Sequence, residues 1–432
     1  MAGRPEPVEP KAEPSRLARK LGVTDAVVIG LGSMIGAGIF SAVGPAARAA
    51  GAGLLLGLVI AALVAYFNAT SSAQLAALYP ESGGAYVYGR KRLSAFWGFL
   101  AGWGFVIGKL ASCAAMALTF ASYAAPSVAR PVAVGSVAVL TAVNYFGVRK
   151  TALLTRVIVT LVLVSLSVVV TALLFGGEID PGRLSPLAST SPYGILQAAG
   201  ILFFAFAGYA RLATLGEEVI DPARTIPRAI PIALGITLFI YATVIVSALL
   251  VVEPAVLAQA SAPLATAVET GRLAWLSPAV RVGASVASLG VLLSLIVGVS
   301  RTVFAMAANR DLPGFFSAVH PRHRVPHHAE VAVGIVVAAA AALADIRSAI
   351  GFSSFAVLTY YAVANASALT LKNSERRWPR WLAASGLLGC IVLAFSLPVA
   401  SVVGGSLLLA AGGIVFLLLR RRSAGLRRPQ SE

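Results

Sequence analysis

Twelve stretches of this chain stay apolar for about 20 residues at a time, at roughly 25–48, 52–78, 94–124, 132–147, 153–175, 194–216, 229–252, 279–307, 329–344, 349–371, 381–398 and 400–420. Wound as a helix, a stretch of that length crosses a hydrocarbon core of about 30 Å. Lipid offers no partner to backbone N–H and C=O groups, so such segments must satisfy their own, and a helix does so. Composition agrees: 58% of the 432 residues are hydrophobic and 12% are charged, against about 25% charged in an average soluble domain. The expectation is an all-α integral membrane protein with 12 transmembrane helices. The first 20 residues are polar and proline-rich, with no apolar core of a signal peptide. Residues 1–24 read as a cytoplasmic tail.

The net charge of +17 would suggest nucleic acid in a soluble protein. Here it reads as basic loops on one side of a membrane. With the N-terminus in the cytoplasm, 25 Lys and Arg fall in inside segments, six in outside loops and helix ends, and three within helices. That asymmetry places both termini in the cytoplasm; the expected location is the plasma (inner) membrane. The outside loop 253–278 has a helix-capable middle, and reads either as a lid across the outer mouth or as a solvated loop. Cys113 and Cys390 lie in apolar runs and have no disulfide or metal spacing.

The first apolar stretch is oddly built. Within "GLGSMIGAGIF", Gly30, Gly32, Gly36 and Gly38 fall in nine residues, and each glycine costs a helix about 1 kcal/mol relative to alanine. The spacing departs from a dinucleotide fingerprint, and no strand precedes it. Gly32 and Gly36 form a GxxxG pair suited to helix packing. The other reading is an unwound segment, where freed N–H groups meet an anion and freed C=O groups a cation. The half-helix starting near Gly38 then points its positive end at the anion. The sixth stretch has a second interruption. In "FFAFAGYARLATLGEEV", Gly208 sits among aromatics and Arg211 follows three residues later. Interruptions in the first and sixth spans are the placement expected of inverted repeats, about 25–175 and 194–371.

Four stretches together resemble the amino acid–polyamine–organocation (APC) superfamily of amino acid permeases. They are "GLGSMIGAGIF", "YPESGGAYVYGRKRL" (79–93), "FFAFAGYARLATLGEEVIDPARTIPRAI" (203–230) and "SRTVFAMAANRDLPGFFSAVHP" (300–321). The resemblance implies the LeuT-type 5+5 inverted-repeat bundle. It makes 25–371 a ten-helix core, 372–420 two peripheral helices and 421–432 a cytoplasmic tail. It also implies a substrate site between spans 1, 3, 6, 8 and 10. The substrate carboxylate would meet the N–H groups of Gly36, Ala37 and Gly38. The amine would meet carbonyls near Met34, Ile35, Phe204, Phe206 and Ala207. Ser33 and Gly208 flank the two breaks, and Phe204 is the aromatic expected to cap the site.

Charged residues inside the spans need reasons. Lys109, near the middle of span 3, costs about 2.5–3.5 kcal/mol on insertion scales and should face the bundle interior. Desolvation disfavours a charged amine, so Lys109 reads as a proton switch, as a structural cation or as a substrate-selecting group. Span 5 has no lysine, where some proton-coupled relatives carry one. Arg211, with Glu217 and Glu218 nearby, reads as an inner gate or a fixed brace. The histidines His320, His323, His327 and His328 cluster in one loop without a completing ligand set, so no metal site is expected. Ser285, Ser288 and Ser294 of span 8 are sodium-site candidates or ordinary interhelical donors. Asp221 and Pro222 should form a turn after span 6.

The reading is a secondary-active transporter of amino acids or related amines working by alternating access. A proton is the expected coupling ion, and no cofactor is expected. Exchange or uniport by the same fold is one alternative, and a non-transporting amino acid sensor is another. Partners are the amino acid substrate and the bilayer, not nucleic acid. An enzyme is not expected, because no His, Asp or Glu is read deep in any span. Small or hydrophobic neutral amino acids suit the small apolar lining. An anionic one would suit Lys109 and Arg211, and a cationic one finds no core carboxylate.

Overall fold

The computed structural model describes residues 21–79, 81, 83–147, 152–184, 191–209, 212 and 219–425. Helix follows helix. The first span is split into α1 (Val23–Met34) and α2 (Ala37–Ala50); α3 (Leu54–Leu78) follows a turn at Gly51–Gly53. A short α4 (Ala85–Arg92) leads into α5 (Ala95–Ala124), α6 (Ala129–Tyr145), α7 (Ala152–Gly176) and α8 (Pro192–Phe206). Then come α9 (Pro222–Val251), the short α10 (Pro254–Gln259) and α11 (Pro263–Glu269), α12 (Ser277–Ala308), α13 (His327–Leu343) and α14 (Ile346–Leu369). The last two are α15 (Arg380–Ser396) and α16 (Val399–Gly425). Among the described residues the non-helical backbone pairing is one bridge, Leu21 with Val219.

Several starts are written locally. α8, α9, α10 and α11 each begin on proline, whose missing N–H is unneeded in a first turn and whose φ is already helical. The Asp221–Pro222 turn opens α9, with Asp221 as its N-cap in a left-handed conformation. Asp345 caps α14 by accepting from the Ser348 N–H at 2.9 Å.

Nine helical runs among the described residues are long and apolar enough to cross a bilayer. One of these is the continuous run from Gly38 to Leu78; α1, α13 and α15 are apolar but shorter. The long helices differ in enclosure: 78% of the apolar window of α14 and 72% of that of α5 is buried, against 11% for α6 and 17% for α16. So α5 and α14 form the centre, while α6 and α16 leave broad apolar faces outward. Phe175, Phe239, Leu343 and Val399 are exposed, as suits side chains that meet lipid rather than water.

Two of the motifs meet at one end of the bundle. Gly83 and Gly84 take positive φ and turn the chain into α4. The Ala85 N–H then donates to Tyr360 Oη of α14 at 2.9 Å. Tyr86 donates to the carboxylate of Asp311 at 2.6 Å, and Arg90 pairs with the same carboxylate. Asn309 Nδ2 donates to Tyr86 Oη at 3.1 Å. This knot ties α4 to the end of α12.

The segment after α9 is a folded cover. Leu257 and Leu264 are fully buried, and a side chain at Gly44 of α2 would strike the Leu257 carbonyl and Pro263. Tyr123 of α5 donates to the Phe40 carbonyl at 3.0 Å and accepts from the Leu264 N–H at 3.3 Å. Glu269 accepts from Ser277 at 2.6 Å and Arg281 at 2.9 Å, and Arg347 holds the Ala258 carbonyl at 2.6 Å. Of the two readings of this loop, the solvated one does not fit, because its middle is helical and its Leu257 and Leu264 are buried.

Candidate functional site

The first break is two residues long. Ile35 (φ −78°, ψ 58°) has inverse γ-turn geometry, and the Gly36 N–H closes the turn onto the Met34 carbonyl at 2.8 Å. α2 then starts at Ala37 with no side-chain cap. The first N–H groups of a helix have no acceptor within it, so the α2 N-terminus offers donors and a partial positive charge at this point. The second break follows Phe206. The chain tightens into a 3₁₀ turn over Ala207–Tyr209, with the Ala207 N–H shared between the Phe203 and Phe204 carbonyls.

The two breaks touch. A side-chain carbon at Gly208 would collide with the carbonyl of Ser33, and one at Gly38 would lie 2.8 Å from Cα of Ala205. Gly36 instead packs against Val291 of α12. Glycine is needed at Gly208 and Gly38 because backbone meets backbone there. Tyr241 of α9 bridges the two breaks: its hydroxyl lies 2.6 Å from the Met34 carbonyl and 3.1 Å from that of Ala205. Phe206 packs on the same ring at 5.3 Å. Tyr361 of α14 reaches the Ala207 carbonyl at 3.4 Å, stacks on Tyr209 at 4.9 Å and meets Phe203 edge-on at 5.8 Å.

The residues of the two breaks singled out in sequence are therefore brought together. Met34, Ile35, Phe206 and Ala207 are buried there. Ser33 is half-buried and returns its hydroxyl to the Ile29 carbonyl at 2.9 Å. Phe204 is half-buried and packs at the margin of the core. The Met34 carbonyl already faces two donors, Gly36 N–H and Tyr241 Oη, which matches its two lone pairs. Tyr241 and Tyr361 were not singled out in sequence. Their signal was a tyrosine in mid-span, because a buried phenol needs a hydrogen-bond partner.

Lys109 lies in the middle of α5 and is 8% exposed. Its ammonium sits 5.9 Å from the Phe105 ring centre, at the outer reach of a cation–π contact. No hydrogen bond or ion pair to it is present among the described residues. Arg211 and Glu217 lie outside the described residues, as does Glu218. Where α7 crosses α1 and α12, Val159 stands against Gly32 and Ile158 against Gly290, while the Ser165 hydroxyl faces Gly283. Ser285, Ser288 and Ser294 each donate to the carbonyl four residues back, at 2.7, 2.7 and 3.0 Å.

The histidines gather around Tyr145. His320, His323 and His327 lie 5.5, 6.1 and 6.3 Å from its ring. No group able to hold a metal ion occurs among the described residues. One acidic residue departs from the sequence reading. Glu330, in the first turn of α13, is 3% exposed, although no carboxylate was read as buried in a span. A cavity of about 750 Å³ opens beside the lid, lined by Arg48, Arg183, Glu253 and Gln259 among others. Its lining includes no residue of either break.

Comparison with known proteins agrees with this architecture. An amino acid permease family model matches residues 21–417. An uncharacterized transporter of Mycobacterium tuberculosis is 62% identical over 93% of this chain and 91% of its own length. The branched-chain amino acid permease BcaP of Bacillus subtilis is 26% identical, with 90% of each chain covered. Cationic amino acid transporter 4 of Homo sapiens is 28% identical over 85% of this chain and 62% of its own. Nearly all-helical, multi-pass and broken in its first and sixth long helices, the chain belongs to the amino acid permease family of the APC superfamily.

Proposed function

We propose that the protein is a proton-coupled amino acid transporter of the plasma membrane, with the substrate backbone held between the two breaks. The observation that carries this is the contact of Gly208 with Ser33 and of Gly38 with Ala205. It sets an α2 N-terminus beside the carbonyls that end α8. A carboxylate is stabilised at the first and an ammonium at the second. Met34 is the weakest of the expected amine acceptors, since both lone pairs of its carbonyl already meet donors. Ile35, Phe204, Phe206 and Ala207 remain for that role.

A proton is favoured over sodium by two observations. Ile158 and Val159 set apolar side chains against Gly290 and Gly32 where α7 crosses α12 and α1, and neither offers an oxygen to an ion there. Lys109 is a titratable cation in the bundle centre with no anionic partner among the described residues. Neutral amino acids are the proposed substrates, because the described residues of the two breaks include no carboxylate to pair with a cationic side chain. The names of the relatives include both branched-chain and cationic amino acids, so both classes belong in the test.

The test is a thermal-shift screen of the purified protein against neutral, acidic and basic amino acids and polyamines, then uptake by proteoliposomes at two pH values. Neutral amino acids should stabilise the protein and be taken up faster with an inward proton gradient. Lys109→Ala should remove the gradient dependence. Unaltered pH-dependent uptake by that variant would overturn the coupling role.

A further inference from the structure

We propose that Glu330 is a buried proton-binding site, paired with Asn144 when neutral and drawn toward Arg301 when ionised. The inference stands apart from the transport reading, because it concerns residues of α6 and α13 and none of either break. Glu330 and Asn144 are each 3% exposed. Glu330 Oε2, both amide atoms of Asn144 and Thr141 Oγ1 are buried without a hydrogen-bond partner among the described residues. Unpartnered buried polar atoms are rare in folded proteins, and several in one place call for a cause.

The helices bring these groups together. A side chain at Gly334 would meet Thr141 Oγ1 at 2.6 Å, and the rings of Tyr145 and His327 lie 6.3 Å apart. As numbers rise along α6 they fall along α13, so the two run antiparallel. Asn144 and Glu330 lie between those two contacts. The buried stripes agree: Ala133, Val137 and Asn144 on α6, and Glu330, Gly334, Val337 and Ala341 on α13, each at helical spacing.

The chemistry of the pair then selects a protonation state. A carboxylate only accepts hydrogen bonds. It can satisfy the Asn144 Nδ2 but leaves the Oδ1 without a donor. A carboxylic acid has one O–H: it donates to Oδ1 while its other oxygen accepts from Nδ2. The neutral acid and the carboxamide thus complete each other, and one proton bound on Oε2 makes the difference. The charged group that faces Glu330 from α12 is Arg301, an exposed cation. On its own helix Glu330 follows His327, whose Nδ1 is also buried without a partner, and His328. Tyr145 and the His320–His323 pair stand around His327. α5, also packed on α13, has Lys109 as its one charged residue. Glu330 therefore has two discrete arrangements, chosen by a proton.

Infrared difference spectra of the purified protein in liposomes, recorded across a pH titration, read this site directly. The wild type should show the carbonyl stretch of a buried protonated carboxyl that vanishes as pH rises. That band should be absent in Glu330→Gln, whose amide keeps both bonds to Asn144 and so retains the fold. Asn144→Leu should move the band to the frequency of a less hydrogen-bonded acid; if that variant fails to fold, Asn144→Ser takes its place. Arg301→Gln should raise the titration midpoint by about half a pH unit, roughly threefold in proton affinity. Identical difference spectra for wild type and Glu330→Gln would overturn the assignment. So would a band that neither asparagine variant moves.

Discussion

Gly208 carries a hydrogen where any other residue carries a carbon, and the Ser33 carbonyl stands where that carbon would be. Alanine at Gly208 must therefore push the two breaks apart. Forced overpacking of this kind costs about 1–3 kcal/mol, and here the strain falls on the proposed substrate site. Gly208→Ala is expected to lower uptake at least tenfold, an energy of about 1.4 kcal/mol. Gly235 of α9 is the control, because nothing lies within 4 Å of a side-chain carbon there. Gly235→Ala should leave uptake within about twofold and stability unchanged or slightly raised, since alanine is the better helix former. Equal behaviour of the two variants in proteoliposome uptake would remove the case for contact between the breaks. Sequence pointed to Gly208 because a glycine among aromatics interrupts an apolar run. It did not point to Tyr241, since a tyrosine in an apolar helix looks like any other core aromatic until its partners are known. Those partners are carbonyls freed by two breaks more than 160 residues apart in sequence.

The elements were legible to different degrees, and for physical reasons. Long apolar runs announce helices, and prolines at 192, 222, 254 and 263 mark four starts. The split of the first span was legible from its glycines. Burial of Glu330 was not, because "HHAEVAVG" reads as the polar entry to a helix; only the packing of α6 on α13 encloses it. The lid was half legible. Its helical middle could be read, but its closure depends on α2, α5, α12 and α14 together. One ion pair of that closure sets a pH dependence. Partial burial pushes the Glu269 carboxyl up, but hydrogen bonds from Ser277 and Arg281, with the charge of Arg281, outweigh this and hold it below its ordinary 4.5. A lowered carboxylate contributes stability above its ordinary value and loses it as pH falls through the folded value. The Glu269 side chain is 41% exposed and that of Arg281 29%, so the contribution is that of a surface pair, about 0.2–1 kcal/mol. Hydrogen-exchange protection of 263–269, corrected for the intrinsic pH dependence of exchange, should fall a few-fold below pH 4.5. Glu269→Gln should show the lower protection already at neutral pH. Protection that is the same in the variant and at both pH values would mean that apolar burial alone holds the lid.

At the scale of the whole molecule, the contacts sort the loops into two sets without reference to charge. The Ile220 N–H meets the Leu21 carbonyl at 2.9 Å, Tyr86 meets Asp311 and Arg92 meets Glu375 at 2.7 Å. Arg420 lies over Phe416, whose ring packs on Phe96 at the start of α5. Residues 21, 86–96, 220, 311, 375 and 420 therefore share one end of the bundle. The other end gathers Tyr123 with Leu264, Gly176 with Arg272, Glu269 with Arg281, and Ala258 with Arg347. The first set coincides with the segments that carry 25 of the 34 basic residues, so charge and packing divide the chain in the same way. Because basic loops are retained on the cytoplasmic side, the end holding both Leu21 and Arg420 should face the cytoplasm. Green fluorescent protein fused after the C-terminus should then fluoresce, and alkaline phosphatase at the same place should be inactive. Phosphatase placed in the 253–278 loop should be active. The reverse pattern would turn the bundle over: the lid would then cover a cytoplasmic mouth, and the proton on Glu330 would exchange with the outside.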